Sequence, residues 1–237
     1  MNSQPLVTVV TVCRNNLPAL QVTMQSVAEQ SYANMEYLII DGASTDGTAQ
    51  MLAEYQGRLS RWVSEPDKGI YDAMNKAIGM ATGDWVIFMN AGDIFASSDV
   101  LSRVFSCSRE ADVIYGDVVK GEQLKHAEPP HNAHRMYFCH QSALVRTECL
   151  RQYPFDTRHR MSADFKQMKL LFLSGHHFQQ LPFAIARFDT TGISNVQRSR
   201  GLKDNIMVVK EVDSWKEQLR LLPKLYWVYW MCRLRGK

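Results

Sequence analysis

The sequence predicts an α/β fold, with a mostly parallel sheet flanked by helices and a helical tail. Two observations carry this reading. Short apolar runs rich in β-branched residues alternate with helix-spaced segments through the first ninety residues or so, the pattern of a sheet wound by strand-helix units. Each apolar run also stops at a polar cluster, and in such sheets ligands sit at the carboxyl ends of the strands.

The elements follow in order. Residues 6–13 form a near-continuous apolar run, which reads as a strand buried on both faces. The polar turn Arg14, Asn15 and Asn16 follows, and Pro18 opens a helix whose inner face is Leu20, Met24 and Val27. Residues 37–40 read as a strand ending at Asp41 and Gly42, with a helix over 48–55. Trp62 and Val63 form a short strand leading to Asp67 and Lys68, and 70–81 is helical. Residues 85–89 are another strand, ending at Asn90, Ala91, Gly92 and Asp93.

The second half is less regular. Residues 120–135 are polar, with three histidines and two adjacent prolines, and read as a long loop. A helix is expected over 163–173 and a strand over 178–188. Val208, Val212, Trp215, Leu219 and Leu222 then form a helical stripe that Pro223 should end.

Composition narrows the function. The chain has 237 residues, 46% hydrophobic and 22% charged, with a net charge of +3. That is an ordinary globular composition, and so small a charge gives no reason to invoke nucleic acid. Five scattered cysteines without a CxxC pair point to neither a disulfide framework nor a zinc site, and to a reducing cytoplasm. The polar start gives no expectation of a secretory signal, and no apolar stretch reaches the ~18 residues of a membrane span.

No glycine-rich dinucleotide or Walker motif follows the first strand. Acidic residues stand at the strand ends instead. A carboxylate there can bond a base or ribose, or hold a divalent cation against a diphosphate. Residues 7–16, 36–48 (EYLIIDGASTDGT), 65–81 (EPDKGIYDAMNKAIGMA) and 83–95 (GDWVIFMNAGDIF) resemble, in order and spacing, the family 2 glycosyltransferases of GT-A fold. The likeness is nearest to the bacterial exopolysaccharide branch of the colanic-acid type. It continues through His140-Gln141, Ser162-Ala163-Asp164 and Gly192-Ile193-Ser194.

The resemblance implies roles. Asp41 would bond the donor's base, with Thr11 and Arg14 lining the nucleotide and Asp67, Lys68 and Asn75 completing that side. Asn90 to Asp93 would occupy the DxD-type site, with Asp93 holding Mn²⁺ or Mg²⁺. Asp164 would be the catalytic base, and His140 and Gln141 would face the acceptor. The implied reaction is transfer of a sugar, with inversion, from a UDP-, GDP- or dTDP-sugar to a glycan or lipid-linked oligosaccharide in surface polysaccharide synthesis. Three departures stand out: Asn90 and Gly92 replace acids of the DxD pattern, Met74 stands where many relatives have arginine, and Ala163-Asp164 keeps a single acid of the usual two-acid pattern at the base.

The expected organisation is a GT-A domain over 1–204, with a nucleotide-sugar half to 95 and an acceptor half after it, and a tail over 205–237. Plainer readings exist for several residues. Asp46-Gly47 is a turn, Asp164 could cap its helix, and His126, His131 and His134 read as solvated. His176-His177 reads as a helix end rather than a metal site. The tail 224–237 (KLYWVYWMCRLRGK) has four basic residues and no acid. It is either a docked helix or an anchor on an anionic membrane surface, the latter placing the protein peripherally on the inner face of the plasma membrane. A sugar nucleotidyltransferase and a catalytically silent glycan-binding protein are the alternatives.

Overall fold

The computed structural model describes residues 4–55, 57, 59–107, 110–189 and 198–234. The segment around Gly192 to Ser194 lies outside them. Strands β1 (Val7–Cys13), β2 (Met35–Asp41), β3 (Arg61–Ser64) and β4 (Trp85–Phe88) pair in parallel, with β1 between β2 and β4. Helices α1 (Leu17–Ala28), α2 (Thr48–Glu54) and α3 (Ile70–Met80) connect them. Each of these elements matches its sequence expectation to within a residue or two.

Beyond β4 the sheet is mixed. Strand β5 (Ile94–Phe95), helix α4 (Val100–Cys107), β6 (Val113–Lys120) and β7 (Gln123–Lys125) come next. A 3₁₀ turn (His140–Ser142) leads into β8 (Ala143–Arg146), α5 (Thr147–Gln152), α6 (Ala163–Leu173) and β9 (Phe178–Phe188). The strand order is β3-β2-β1-β4-β8-β6-β9-β5, with β7 on β6. Strand β8 runs antiparallel to both β4 and β6, so β6 and β9 point the same way as β4. The first four strands are thus all parallel, as expected of the nucleotide side, and beyond them β6 and β9 pair in parallel while β5, β7 and β8 run against their neighbours. The polar stretch after β6 is a hairpin and then loop, because β7 returns along β6.

Alternation along the strands builds two cores. On β1, Val10 and Val12 face the layer holding α3, α5 and α6, whereas Val7 and Val9 face that of α1 and α4. On β4, Val86 and Phe88 divide from Trp85 and Ile87 in the same way. A period of two with both faces apolar is what burial between helical layers requires.

Helices α7 (Arg198–Val212) and α8 (Trp215–Leu234) pack on α6 through a third core of Phe165, Ile206, Val208, Val209, Leu221 and Leu225. The helical stripe is thus two helices, broken at Asp213 and Ser214 rather than ended by Pro223. That proline lies inside α8 on its exposed side. A missing N–H and a bulky ring are easier to place where the helix meets solvent than where it packs.

Candidate active site

A cleft of about 710 Å³ opens at the carboxyl ends of β1, β4, β6 and β9. Its walls include Arg14 and Asn16 after β1, Asn90, Ala91 and Asp93 after β4, Lys120 closing β6, and Asp189 just past β9. His140 and Gln141 from the 3₁₀ turn and Asp164 at the start of α6 close the far side.

The two loops on the nucleotide side are laced together. The Asn15 N–H donates to Ser44 Oγ at 2.7 Å, and Asn15 Oδ1 accepts the Thr45 N–H at 2.7 Å. Asp46 accepts the N–H groups of Leu17 and Thr48 at 2.9 and 3.2 Å, so this turn aspartate satisfies the open ends of two helices. Asp41 is fully buried and takes hydrogen bonds from the Ser44 N–H, the Ser44 hydroxyl and the Ser64 hydroxyl. Gly42 is there because of a close approach: a Cβ would stand 2.2 Å from Asp67 Oδ2 and 3.3 Å from Arg14 Cδ. The Arg14 and Asp67 side chains thus both lie over Gly42, next in sequence to Asp41.

Two of the nucleotide-side expectations lie elsewhere. The Thr11 hydroxyl is buried on the opposite face of β1, 2.9 Å from the Tyr37 hydroxyl. Strand alternation puts Val12, not Thr11, on the cleft. Asn75 places both amide atoms on the Phe155 backbone, at 2.8 and 2.9 Å, and so acts as a strut between α3 and the segment before α6. The Lys68 N–H donates to Asp72 at the start of α3, and the Lys68 side chain is exposed.

Asp93 is buried, and burial pushes its carboxyl up to about 6. The Asp189 N–H donates to Asp93 Oδ1 at 2.9 Å, and the nearby Gln141 side chain favours the ionised carboxylate. Gly92 has φ +102°, and a Cβ there would stand 2.5 Å from Asp189 Oδ2. The glycine that thins the DxD pattern therefore makes room for a second carboxylate from another strand. Asn90 Oδ1 is buried with no hydrogen-bond partner. These oxygen donors suit a hard cation such as Mn²⁺ or Mg²⁺.

Asp164 receives the Tyr71 hydroxyl at 2.8 Å and lies 3.1 Å from His140 Nδ1. Burial alone would raise its carboxyl, but the bonds from His140, Tyr71 and the Phe165 N–H together hold it below the ordinary aspartate value. His140 Nε2 lies 3.3 Å from Asn90 Nδ2. A chain of polar contacts thus runs from Tyr71 through Asp164 and His140 to Asn90.

Sequence reasoning missed Asp189, Tyr71 and the basic rim of Lys120, Lys125, Arg135 and Arg160. Asp189 had a usable signal, since it follows directly on an expected strand. Tyr71 had none, because its role depends on α6 packing over α3.

The profile of Glycosyl transferase family 2 matches residues 8–181. A PGL/p-HBAD biosynthesis glycosyltransferase of Mycobacterium bovis is 30% identical over 230 residues, covering 92% of this chain and 84% of that protein. An uncharacterized Mycobacterium tuberculosis glycosyltransferase is 40% identical over 104 residues, covering 44% of this chain. The chain spans 40% of the length of that relative. A mannosyltransferase of Pyrobaculum calidifontis, solved with GDP-Man and Mn²⁺, superposes with a TM-score of 0.69 at 21% identity. That match covers 89% of this chain and 64% of the other, and it places the fold in the GT-A class. With the profile spanning the whole nucleotide side and the relative spanning nearly the whole chain, this protein belongs to glycosyl transferase family 2.

Proposed function

We propose that this chain transfers a sugar, with inversion, from a nucleotide-sugar donor to a glycan or lipid-linked acceptor in bacterial surface polysaccharide synthesis, the colanic-acid type being the branch its motifs favour. The observation that carries the reading is the convergence of Asp93 and Asp164 on one cleft that Arg14 also lines. Asp41 and Asp67 hold the base and ribose side, and the basic rim attracts the diphosphate. Asp93, with Asn90 and Asp189, would hold Mn²⁺ or Mg²⁺, which supplies charge neutralisation for the departing diphosphate.

The acceptor hydroxyl attacks the anomeric carbon as the bond to the diphosphate oxygen breaks. Its proton is taken by the Asp164–His140 pair. Asp164 keeps the ring proton on Nδ1 and the ring in place, and Nε2 is directed towards the Asn90 side of the cleft. A positioned base of this kind typically contributes ~10²–10⁴ in rate. Thermal shift with UDP-, GDP- and dTDP-sugars, with and without Mn²⁺, tests the donor side. One donor class should raise the midpoint in a metal-dependent way, and Asp93→Ala should lose that rise. No response to any donor would refute it.

The acceptor side extends to a membrane surface. No helix of the described residues is long and apolar enough to cross a membrane. Yet α8 carries Trp215, Leu219, Trp227, Trp230 and Leu234 at 58–80% exposure. At 3.6 residues per turn these fall on the side opposite the buried Leu221, Leu225 and Cys232. Lys216, Lys224 and Arg233 are exposed among them. An aromatic face flanked by cations suits an anionic bilayer interface.

A further inference from the structure

Far from the cleft, three side chains with metal-binding atoms face one another. Asp112 immediately precedes β6, Cys149 lies in α5, and His176 is in the turn between α6 and β9. Strands β6 and β9 are parallel and deliver Lys120 and Phe188 to the cleft from their carboxyl ends. Asp112 and His176 precede those strands, so they sit at the opposite edge of the sheet. His176 Nδ1 is 3.3 Å from Asp112 Oδ2 and 3.7 Å from Cys149 Sγ, and all three atoms lie within 4.8 Å of one another.

The 3.3 Å His176–Asp112 separation is long for the hydrogen bond of a relaxed His–Asp pair, whose usual length is ~2.9 Å, while 3.7 Å from Cys149 Sγ is within ordinary hydrogen-bond reach of a thiol. Both distances also suit a different geometry. Zinc binds nitrogen and oxygen at ~2.0–2.2 Å and sulfur at ~2.3 Å in a tetrahedron, which puts neighbouring ligand atoms ~3.3–3.7 Å apart. We propose that Asp112, Cys149 and His176 form a site for Zn²⁺, separate from the catalytic cation. One sulfur, one nitrogen and one oxygen make a donor set that favours zinc over Mg²⁺ or Mn²⁺.

The ligands are held before any ion arrives. The His177 N–H donates to Asp112 Oδ2 at 2.8 Å, and the Tyr153 ring meets the His176 ring edge-on at 5.9 Å between centroids. Such outer contacts fix ligand orientation. Cys149 is buried, while the His176 and Asp112 side chains are 19% and 32% exposed, which leaves an entry side and a fourth position for water. On binding, the Cys149 S–H bond breaks, its proton passes to solvent, and the sulfur electron pair forms the bond to the cation. No electron changes hands. The ion would tie α5, the end of α6 and the start of β6 together.

A second cluster of similar spacing, Asp156, His159 and Glu211, differs in one respect. The Lys166 ammonium already stands 2.7 and 2.5 Å from its two carboxylates. That slot is filled by a side-chain cation.

Metal-stripped full-length protein titrated with Co²⁺ tests the site. We expect one equivalent to give a near-ultraviolet sulfur-to-cobalt charge-transfer band and the intense visible bands of a four-coordinate ion. Zn²⁺ should abolish them, and excess Mg²⁺ or Mn²⁺ should not. Cys149→Ala and His176→Ala should each lose the bands, whereas Cys139→Ala, at the cleft, should keep them. Zn²⁺ should also raise the unfolding midpoint of the wild type but not of His176→Ala. If Cys149→Ala fails to fold, the partly exposed His176→Ala decides alone. Absence of the bands in the wild type, their survival in folded His176→Ala, or their loss in Cys139→Ala would overturn the proposal.

Discussion

Asp164 is surrounded by donors, and this shapes what its replacement should do. Asp164→Asn preserves the shape but cannot pair with the Nδ1 proton of His140 as a carboxylate does. Transfer should fall by ~10²–10⁴, with donor binding kept, as read by steady-state rates and thermal shift on the same sample. His140→Ala should fall by a comparable factor, because the two residues act as a unit; activity within a few-fold of wild type would return the role of base to Asp164 alone. Asp41→Ala carries a second cost. Three donors from Ser44 and Ser64 would lose a buried acceptor, worth ~1–3 kcal/mol of stability. Weaker donor binding should therefore come with a lower unfolding midpoint, and an unchanged midpoint would contradict the buried placement. The strand-end acids were legible from sequence because a polar residue ending an apolar strand is a local signal. The alternation that turns Thr11 inward was just as local, but a strand buried on both faces does not show which face meets the cleft. The use of Asn75 as a strut was not legible, since its partner Phe155 is distant in sequence and supplies only backbone.

Between elements, the joint of α6 with α7 and α8 is ionic as well as apolar. Lys169 and Asp213 form a bridge at 2.8 Å with side-chain exposures of 2% and 0%. Lys169→Met would strand the buried carboxylate and should cost ~3–5 kcal/mol, while pairing it with Asp213→Leu should recover most of the loss. Urea midpoints of the two variants check this. The outer network gives a pH dependence. Arg158 holds the Asp156 carboxyl well below the ordinary carboxylate range, and Lys166 holds that of Glu211 below it. Both folded values are depressed, so their contribution is present above the unfolded values near ~4 and fades as pH falls below them. Thermal midpoints should drop below pH ~4, and drop less in Asp156→Asn. The helical period of this region was readable in the sequence, but the break at Asp213 was not. A proline is a louder signal than a two-residue gap, and here the proline was tolerated on the outer face. Because Leu225 and Cys232 are buried beyond Pro223, deleting the tail would remove core. Trp227→Glu with Trp230→Glu is the cleaner test: it should release the protein from phosphatidylglycerol vesicles without lowering the unfolding midpoint.

Across the whole molecule, the first ninety residues announced themselves because β1, β2 and β3 are each followed by their own crossover helix. Strand β8 did not, since four residues carry no readable period and its neighbours β4 and β6 come from elsewhere in the chain. That late strand has a consequence during synthesis. The outer edge of β4 is complete by residue 88, but its partner occupies residues 143–146. At ~5–20 residues per second the ribosome needs roughly 3–11 s to make the intervening chain. Strand β6 emerges first and runs in the same direction as β4, so a direct β4–β6 ladder is an available kinetic trap that would lock β8 out. Nascent chains stalled before β8 leaves the exit tunnel should therefore be open to protease beyond β4, and those stalled after it should become resistant together.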